Sequence, residues 1–384
     1  MNTSPLIALC AGEASGDLLG AHLIEAIRAR CPQARFTGIG GPRMQAAGLK
    51  SLFDQETLAV RGYVEVLKNL PAIWRIRKGL IAEMKRQRPD VFVGIDAPDF
   101  NLGVAAALKA AGIPTLHYVS PSVWAWRRER VHKIVQQADE VLCLFPMEPE
   151  LYRQAGGRAR FVGHPLAQTL PLEADRAAAR RELGLPETQP VFALLPGSRV
   201  SEIDYMAPLF LQAAQLVRQQ IPEAQFLLPY ATEASRTRLQ SLLAAEPYCR
   251  LPLQLLPGGT AQACTAADAV LVTSGTATLE VALCKRPMVI SYKISLLTYA
   301  LVKHKIKVPY VGLPNVLLGR AAVPELLQHD AEPEKLAAAL LNWYRSPEKT
   351  AALQQDFTEL HHLLRKDTAT EAAAAVLAAA GANP

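Results

Sequence analysis

The stretch Val191-Phe-Ala-Leu-Leu-Pro-Gly-Ser-Arg-Val-Ser-Glu-Ile203 decides the fold that we predict for this chain. It begins with an uninterrupted apolar run, which is typical of a buried strand. The Pro-Gly pair that follows ends the strand, and an amphipathic helical pattern begins near Glu202. A strand, a glycine turn and a helix N-terminus together favour an anion, because free amides and the positive end of the helix dipole meet there.

Three residues of this turn are the predicted phosphate ligands. Gly197 and Ser198 offer backbone amides, and Arg199 adds a planar guanidinium that can bind a phosphate through two hydrogen bonds. Strand–glycine–helix turns are also common in α/β proteins that bind no phosphate. Taken alone, this segment leaves both interpretations open.

A second stretch repeats the arrangement further along the chain. Asp268-Ala-Val-Leu-Val272 predicts a strand, and Ser274, Gly275 and Thr276 lie where the next helix begins. Two helix N-termini that open from the same edge of one parallel sheet indicate a nucleotide diphosphate site. Glu280 falls early in this helix, where its carboxylate either accepts hydrogen bonds from a ribose or only complements the helix dipole.

Length and composition indicate two α/β domains in a reducing compartment. The chain has 384 residues, which is enough for two domains of roughly 150–200 residues each. We predict a first domain of residues 1–165, completed by helices within residues 350–384, and a second domain of residues 166–349. The six cysteines form no Cys-x-x-Cys pair and no cluster with histidine, which argues against a structural zinc site.

The charge balance predicts an anionic partner. The formal net charge is +6, which suits a phosphate ligand, an anionic lipid surface or a nucleic acid. Because the sequence contains no nucleic-acid-binding motif, we expect no nucleic acid partner. The N-terminus enters a strand without a basic region or a cleavable apolar stretch, so no secretion signal is expected. No uncharged apolar run reaches about 18 residues, so no segment is expected to span a membrane.

Apolar strands alternate with helical segments in both halves, which predicts a doubly wound parallel sheet in each domain. The predicted strands of the first half are Leu6–Cys10, Phe36–Ile39, Val91–Ile95, Thr115–Val119, Val141–Phe145 and Phe161–Gly163. Those of the second half are Val191–Leu195, Gln225–Pro229, Leu253–Leu256, Ala269–Val272 and Met288–Ser291.

The loop after the first strand, Gly12-Glu-Ala-Ser-Gly-Asp17, lacks the G-x-G-x-x-G pattern of dinucleotide-binding proteins. The carboxylates of Glu13 and Asp17 would repel a pyrophosphate placed there. Ser15 and Asp17 are therefore predicted to bind a ligand that bears hydroxyl groups. Packing of the first strand against the first helix is the alternative explanation of the same residues.

Residues 58–86 are rich in both apolar and basic residues, and a helix is predicted to begin at Pro71. A basic, amphipathic segment that carries a tryptophan suits the surface of an anionic membrane. The alternative is a core helix with a solvated charged face. The residues predicted to contact the membrane are Val64, Val66, Leu67, Leu70 and Trp74.

Asp96 follows the predicted strand Val91–Ile95, at the sheet edge where open α/β folds bind ligands. Its carboxylate can serve as a general base, or it can cap the turn. The block that follows the next strand contains Trp124 and Arg127. Together with three further basic residues this block can cradle a phosphorylated sugar that has an apolar attachment, or its rings and charges are ordinary helix-surface features. Those three residues are Arg128, Arg130 and Lys133.

Six blocks of the chain together resemble the lipid-A-disaccharide synthase family. They are Gly12–Asp17, Gly94–Asn101, His117–Arg127, Leu194–Arg199, Ser274–Glu280 and Leu313–Asn315. The blocks occur in order over nearly the full chain, and Ser-Pro-Ser-Val-Trp-Ala-Trp within the third is highly specific. The resemblance implies a glycosyltransferase of the GT-B type, with two Rossmann-like domains that face a central cleft.

The resemblance also implies a reaction. A diacylated glucosamine moves from UDP-2,3-diacylglucosamine to 2,3-diacylglucosamine 1-phosphate with inversion, which gives UDP and the β-(1→6) disaccharide phosphate of lipid A. The family's functional aspartate corresponds to Asp96. Arg199 and the two helix N-termini would take up the charge of the departing UDP without a metal or any other cofactor, and Asn315 would lie near the nucleotide.

The implied location is the cytoplasmic face of the inner membrane of a Gram-negative bacterium, where the protein binds peripherally. The oligomeric state is left open, with a homodimer as one alternative. Two other functions also remain open: a UDP-sugar epimerase of the same architecture, and a non-catalytic lipid-binding protein. An epimerase would convert UDP-sugar in the absence of any acceptor.

Overall fold

The structure, a computed structural model, describes residues 4–58, 63–125, 128–294 and 309–382, with the backbone alone for residues 63–69. The described chain divides into two compact units. The first comprises residues 1–168 and 364–384, and the second comprises residues 169–363. Each unit is built around one parallel sheet with helices on both faces.

The first unit contains a seven-stranded parallel sheet of order β3-β2-β1-β4-β5-β6-β7. Its strands are β1 (Leu6–Ala11), β2 (Arg35–Ile39), β3 (Leu49–Ser51), β4 (Val91–Ile95), β5 (Thr115–Tyr118), β6 (Glu140–Cys143) and β7 (Arg158–Phe161). Its helices are α1 (Ala14–Arg30), α2 (Pro42–Ala46), α3 (Tyr63–Gln87), α4 (Pro98–Lys109), α5 (Arg130–Gln137), α6 (Glu148–Gln154) and α7 (Pro165–Thr169), which ends at the boundary.

The second unit contains a six-stranded parallel sheet of order β10-β9-β8-β11-β12-β13. Its strands are β8 (Val191–Leu195), β9 (Gln225–Tyr230), β10 (Leu253–Pro257), β11 (Ala269–Thr273), β12 (Met288–Tyr292) and β13 (Glu325–Leu327). The helices after α7 are α8 (Arg176–Glu182), α9 (Val200–Gln220), α10 (Glu233–Leu243), α11 (Thr260–Ala266), α12 (Thr276–Leu283), α13 (Leu313–Leu318), α14 (Pro333–Tyr344), α15 (Pro347–Leu364) and α16 (Thr368–Ala379).

The central strands are buried on both faces, as parallel sheets covered by helices require. In the first unit, Ile7 and Leu9 of β1 pack into the core beneath α1 and α16, while Ala8 and Cys10 pack beneath α3 and α4. This alternation explains why β1 is a continuous apolar run. In the second unit, the apolar run of β8, from which the buried strand was predicted, is buried over its full length.

The strand order reverses once in each sheet, between β1 and β4 in the first and between β8 and β11 in the second. At such a switch point neighbouring loops diverge and leave a crevice beyond the carboxyl ends of the strands. The loops after β8 and β11, which carry the predicted diphosphate ligands, border the crevice of the second unit. Asp96 and the Gly12–Asp17 loop border that of the first.

Some boundaries differ from those expected from the sequence. β7 begins three positions before the predicted Phe161, and helix α3 begins at Tyr63, so that Pro71 lies inside it. The chain returns to the first unit at Leu364 rather than at residue 350. The reason is packing: α15 buries Leu353 and Phe357 in the core of the second unit, whereas α16 packs against α1 of the first unit.

Candidate active site

A cavity of about 550 Å³ lies in the second unit at the carboxyl ends of its central strands. It brings together loops that are distant in the sequence but follow neighbouring strands. The predicted ligands that line it are Gly197, Ser198, Arg199, Ser274, Gly275, Thr276 and Glu280. The wall also includes Glu202, Gly258, Thr260, Tyr230 and Tyr292, and the sequence did not indicate the two tyrosines.

The turn after β8 is shaped by its glycine. Gly197 has a φ of +117°, a backbone conformation that disfavours other residues. A Cβ at this position would also lie 2.5 Å from Oε2 of Glu202. The side chains of Ser198 and Arg199 are exposed beside this turn, and helix α9 begins at the next residue. The turn therefore presents backbone amides and a guanidinium at the mouth of the cavity.

Glu202 already occupies the amides that a phosphate would use. Its Oε2 accepts hydrogen bonds from the amide of Ser198 at 3.1 Å and that of Arg199 at 3.3 Å. The Arg199 Nη1 lies 3.5 Å from the Glu202 Oε1. The arrangement is a capping interaction in which an acid of the first turn satisfies free amides of its own helix. A diphosphate at this turn has to displace the Glu202 carboxylate or bind beside it.

Replacing Glu202 with glutamine should strengthen UDP binding by about three- to tenfold, because a partly screened negative charge beside the diphosphate is removed. Isothermal titration with UDP measures the dissociation constant. Glu334→Gln, which removes an exposed acid from the first turn of α14, is the control and should leave UDP affinity unchanged. Weaker binding to Glu202→Gln would show instead that the Glu202 carboxylate holds the turn in its binding conformation.

The turn after β11 is open toward the cavity. Gly275 has a φ of +153°, and a Cβ there would meet no atom within 4 Å. Thr276 is exposed, while Thr278 Oγ1 donates to the carbonyl of Gly275 at 2.7 Å and fixes the start of α12. Ser274 Oγ donates to the carbonyl of Val311 at 3.4 Å, so its hydroxyl has a partner within the unit. The helix N-terminus and its amides are the ligand groups that remain available.

Glu280 lies on the wall of the cavity one turn into α12. Burial raises the pKa of the Glu280 carboxyl, and a hydrogen bond from the backbone of Ala261 opposes the shift. The Ala261 contact fixes the carboxylate at the cavity wall, where it can accept hydrogen bonds from vicinal hydroxyls. Burial also raises the pKa of Tyr292, with Glu202 adding to the shift and Arg199 opposing it. Tyr292 therefore faces the same charged pair that a diphosphate would meet.

Asn315 does not line the cavity, which corrects its assignment as a nucleotide ligand. Its Nδ2 donates to the carbonyl of Val323 and to Oε1 of Glu325, both at 2.8 Å, and its Oδ1 accepts from the amide of Val323 at 2.9 Å. The side chain is buried and its amide is satisfied within its own unit. Asn315 therefore supports the start of α13.

In the first unit, Asp96 lies at the end of β4 with its backbone in an unusual conformation. Asp96 and Ala97 have φ values of +52° and +41°, and Val119, at the end of the neighbouring strand β5, has a φ of +79°. Residues other than glycine adopt such values at a cost, and they occur often at functional sites. Burial raises the pKa of the Asp96 carboxyl, and the charge of Glu13 adds to the shift. A raised pKa suits a general base.

Asn101 holds the Asp96 turn in place, a role that sequence reasoning missed. Its Nδ2 donates to the carbonyls of Cys10 at 3.1 Å, Ile95 at 3.2 Å and Asp96 at 2.9 Å. The side chain is fully buried and therefore ties the ends of β1 and β4 together at the switch point. The sequence signal that could have predicted this role is an asparagine five residues after the aspartate at the end of the strand.

The first loop gives its two predicted ligands different roles. Ser15 is exposed in the first turn of α1 and stays a candidate for acceptor binding. Asp17 is buried, and its carboxylate oxygens accept from the amides of Arg43 at 3.1 Å and Met44 at 3.0 Å. Asp17 therefore caps helix α2, which corrects its assignment as a ligand for the acceptor.

Trp124 is nearly buried in the loop after β5, and Arg127 lies outside the described residues. Next to Trp124 lies Glu148, a buried carboxyl that the sequence did not indicate. Burial raises the pKa of Glu148 to about 8, although the amide of Phe145 and the side chains of Ser120 and Trp124 oppose the shift. Glu148 Oε2 accepts from the Phe145 amide at 3.1 Å. We interpret Glu148 as a residue that organises the Trp124 loop.

Glu148 should make stability depend on pH. Its pKa in the folded protein is about 8, above an ordinary value of 4.5, so the folded chain binds this proton more tightly than the unfolded chain. The free energy of unfolding should therefore fall as pH rises through that interval, by up to about 1.4 kcal/mol per pH unit. Glu148→Gln should remove this component in denaturant unfolding at pH 5 and 8. Glu150→Gln, an exposed acid of the same helix, should keep it, and an unchanged slope in Glu148→Gln would contradict the assignment.

Helix α3 has a buried face and exposed apolar residues. Leu80 and Met84 are fully buried, with Ile73 and Ile76 packed against the same core. By contrast, the exposed fraction is 47% for Leu70 and 58% for Trp74. Three other predicted membrane contacts lie among residues 63–69, whose side chains fall outside the description; they are Val64, Val66 and Leu67.

Across residues 4–58, 63–125, 128–294 and 309–382, no helix has both the length and the apolar content needed to cross a bilayer. In the same described residues, no group of three histidine, cysteine or acidic side chains is placed to hold a metal ion.

Comparison with known sequences gives matches over nearly the full chain. A family model described as Lipid-A-disaccharide synthetase matches residues 7–378. The lipid-A-disaccharide synthase of Neisseria meningitidis serogroup A is 70% identical over 378 residues, covering 98% of this chain and 98% of that protein. The lipid-A-disaccharide synthase of Chromobacterium violaceum is 59% identical over 371 residues, covering 97% and 96%.

Solved structures resemble the chain at low sequence identity. A UGT transferase from Siraitia grosvenorii in complex with UDP has a TM-score of 0.63 at 10% identity, with 97% of this chain and 99% of that chain covered. MurG of Acinetobacter baumannii has a TM-score of 0.54 at 16% identity, covering 94% and 99%. UDP-GlcNAc 2-epimerase from Neisseria meningitidis has a TM-score of 0.56 at 10% identity, covering 94% and 98%. The two parallel-sheet units and these similarities identify the fold as the GT-B type.

Proposed function

The chain belongs to the lipid-A-disaccharide synthase family, and from this premise we propose the reaction that it catalyses and the residues that act in it. It is a glycosyltransferase of lipid A biosynthesis. The donor is UDP-2,3-diacylglucosamine and the acceptor is 2,3-diacylglucosamine 1-phosphate. The products are UDP and the β-(1→6)-linked disaccharide phosphate.

The observation that carries the proposal is the cavity of the second unit, in which two helix N-termini open from the strands on either side of the switch point. UDP binds there with its diphosphate at the turns that begin with Gly197 and Ser274. Arg199 neutralises the diphosphate, and Glu280 accepts hydrogen bonds from the ribose. The Pro257–Thr260 turn, which contributes to the wall of the cavity, contacts the nucleobase of UDP.

The chemistry requires one base and one means of stabilising a leaving group. The oxygen of the acceptor 6-hydroxyl attacks the anomeric carbon of the donor, and the bond between that carbon and the UDP oxygen breaks. Asp96 takes the hydroxyl proton, since its raised pKa and strand-end position suit a general base. Arg199 and the helix dipoles stabilise the negative charge that develops on UDP.

No metal or other cofactor is assigned a role in this mechanism. Arg199 and the N-termini of α9 and α12 neutralise the diphosphate charges that a divalent cation would otherwise neutralise. The sequence supports this view because it contains no D-x-D motif, which many metal-dependent transferases use to bind a nucleotide diphosphate. Independence from metal stays a prediction.

The acceptor is proposed to bind the first unit, through Ser15, Trp124 and Arg127, and the protein is proposed to work at the cytoplasmic face of the inner membrane. Both substrates carry acyl chains, which need an apolar environment. The exposed Leu70 and Trp74 of α3 support peripheral binding to that membrane, as does the basic character of the chain.

Replacing both Leu70 and Trp74 by serine should lower binding to vesicles that contain phosphatidylglycerol by about tenfold or more. The reason is that membrane binding then no longer transfers two apolar side chains from water into the lipid. Co-sedimentation with vesicles measures the bound fraction. Leu363→Ser, which removes an exposed leucine of the second unit, is the matched control and should bind like the parent. Equal sedimentation of the double variant and the parent would exclude these residues as membrane contacts.

The proposed reaction is tested by mass spectrometry of products formed from a diacylated donor, with and without the acylated acceptor. We expect disaccharide phosphate and UDP in equal amounts, and neither product without acceptor. Conversion of the donor to an isomeric UDP-sugar without acceptor would identify an epimerase. Binding of both lipids without any turnover would identify a non-catalytic lipid-binding protein.

A further inference from the structure

A second cavity, of about 280 Å³, lies in the first unit between helices α3, α4 and α5. Three cationic side chains of the described chain line it: Arg77 from α3, and Arg130 and Lys133 from α5. Among the described lining residues one carboxylate, that of Asp99, lies beside them, so these residues contribute three positive charges and one negative charge. The remaining wall includes the apolar Leu102 and Ile134 and the polar Gln137.

Arg77 is held in a fixed position. Its Cζ lies 5.1 Å from the centroid of the Phe100 ring, and its Nη2 donates to the carbonyl of Asp99 at 2.5 Å. A Cβ at Gly103 would lie 3.3 Å from Nη1, so the guanidinium occupies the space that this glycine leaves. Its Nε is buried and has no acceptor within the described chain. A buried donor without an acceptor costs free energy unless a ligand supplies one.

The other two cations leave capacity for an anion. Arg130 Nη2 donates to Oδ1 of Asp99 at 2.7 Å, but the Asp99 side chain is 89% exposed, so this ion pair lies at the solvent side. Lys133 is exposed and forms no ion pair with the described residues. An arginine fork and a lysine ammonium on one wall are typical of phosphate recognition.

Two neighbouring features indicate what carries the phosphate. The cavity wall includes Pro98 and Asp99, which follow the proposed base Asp96 within three residues. On α3, one turn before Arg77, Trp74 is exposed, and Leu70 is exposed one turn earlier. A ligand that reaches all three features has a reactive hydroxyl, a phosphate and an apolar part.

We propose that this cavity binds the phosphate monoester of an acylated sugar phosphate, which under the proposed function is the acceptor. Arg77, Arg130 and Lys133 contact the phosphate, and the sugar extends toward Asp96. The bound phosphate then fixes the position of the sugar so that its 6-hydroxyl lies beside the Asp96 carboxylate. The cavity thereby selects acceptors that carry a phosphate over those that lack one.

A membrane phospholipid headgroup has the same phosphate chemistry and is the other source of such a ligand. The two sources differ in what they predict. Acceptor recognition changes kinetics in neutral detergent micelles that contain the acceptor but no phospholipid. Headgroup recognition changes only the binding of the protein to anionic vesicles.

The experiment compares the acylated acceptor with and without its phosphate, in neutral detergent. Lys133→Ala should raise the KM for the phosphorylated acceptor by about tenfold, the effect of losing one charge-assisted hydrogen bond, and should leave the KM for UDP-sugar unchanged. The same variant should turn over the acceptor that lacks phosphate at the parental rate. Lys85→Ala removes an exposed lysine of α3 outside the cavity and is the matched control.

A second variant distinguishes the loss of a phosphate contact from misfolding of the protein. Asp99→Asn removes the one carboxylate that lines the cavity among the described residues and should lower the KM for the phosphorylated acceptor, a change that a damaged protein cannot mimic. An equal loss with both acceptors in Lys133→Ala would overturn the proposal. So would an unchanged preference for phosphate together with weaker sedimentation on phosphatidylglycerol vesicles, which would assign the cavity to membrane lipid.

The proposed function can fail separately from this inference. If the parent protein forms no disaccharide, the reaction is wrong whatever the cavity binds. In that case the cavity is tested by titrating glucosamine 1-phosphate into parent and Lys133→Ala and following the ³¹P signal. Binding to the parent that Lys133→Ala weakens would support the site, and equal binding to both would overturn it.

Discussion

Replacing Asp96 with asparagine should lower turnover by about 10²–10⁴-fold while the KM for UDP-sugar changes little, because the variant keeps the shape of the side chain and loses the base. Steady-state kinetics with both lipid substrates measures both parameters. The backbone of Asp96 already has a φ of +52°, which asparagine tolerates well among residues other than glycine. The substitution therefore tests chemistry with little disturbance of the turn.

The pH profile provides a second check on Asp96. Because burial raises the pKa of its carboxyl, the acidic limb of kcat/KM in the parent should lie above the ordinary range of an aspartate. Asp139→Asn is the matched control, since Asp139 lies at the amino ends of the strands and pairs with Lys109 at 3.1 Å. Near-normal turnover by Asp96→Asn with substrate bound would refute the base assignment.

Replacing Arg199 with alanine should lower turnover by about 10²–10³-fold, the usual effect of removing one group that stabilises developing negative charge. The Arg199 side chain is 77% exposed and contacts Glu202 only at 3.5 Å. The free protein therefore depends little on it for stability, and the loss should be kinetic. Stopped-flow or steady-state release of UDP measures the rate.

Arg250→Ala removes an arginine of the second unit whose side chain is 80% exposed and serves as the control. If Arg199→Ala released UDP at the parental rate, another group would have to stabilise the leaving nucleotide. A parental activity that requires Mg²⁺ and disappears with EDTA would identify that group as a metal ion. The first outcome would remove Arg199 from the mechanism, and the second would count against a metal-independent mechanism.

The grouping of residues around the cavity of the second unit could be predicted from the sequence because its signals are local. A buried apolar run followed by a glycine turn specifies a strand end and a helix N-terminus, and parallel strands place all such turns at one sheet edge. Gly197 and Ser274 could therefore be assigned to one site although they are distant along the chain. The edge strands β3 and β13 were missed, because each has three residues and a mixed pattern.

The corrections share a physical cause. Asp17 and Asn315 stand in motifs at strand or helix ends, as ligands do, but each meets buried backbone groups supplied by another part of the fold. No local pattern reveals which amide a polar side chain will reach. The capping role of Glu202, by contrast, could be predicted from the sequence, because an acid in the first turn of a helix is a local capping signal. Glu148 resembles an ordinary first-turn acid, and only its burial distinguishes it.

Helix α16 has a consequence for biosynthesis. Its inner face buries Ala372, Ala373 and Val376 in the core of the first unit, in contact with α1, although more than 300 residues separate the two helices in the chain. A ribosome therefore delivers the complete sheet of the second unit before residues 368–379 can close the first. Domains generally fold as units during synthesis. We expect the second unit to mature first, while the first unit, which emerges earlier, waits with part of its apolar interior uncovered and depends longest on chaperones.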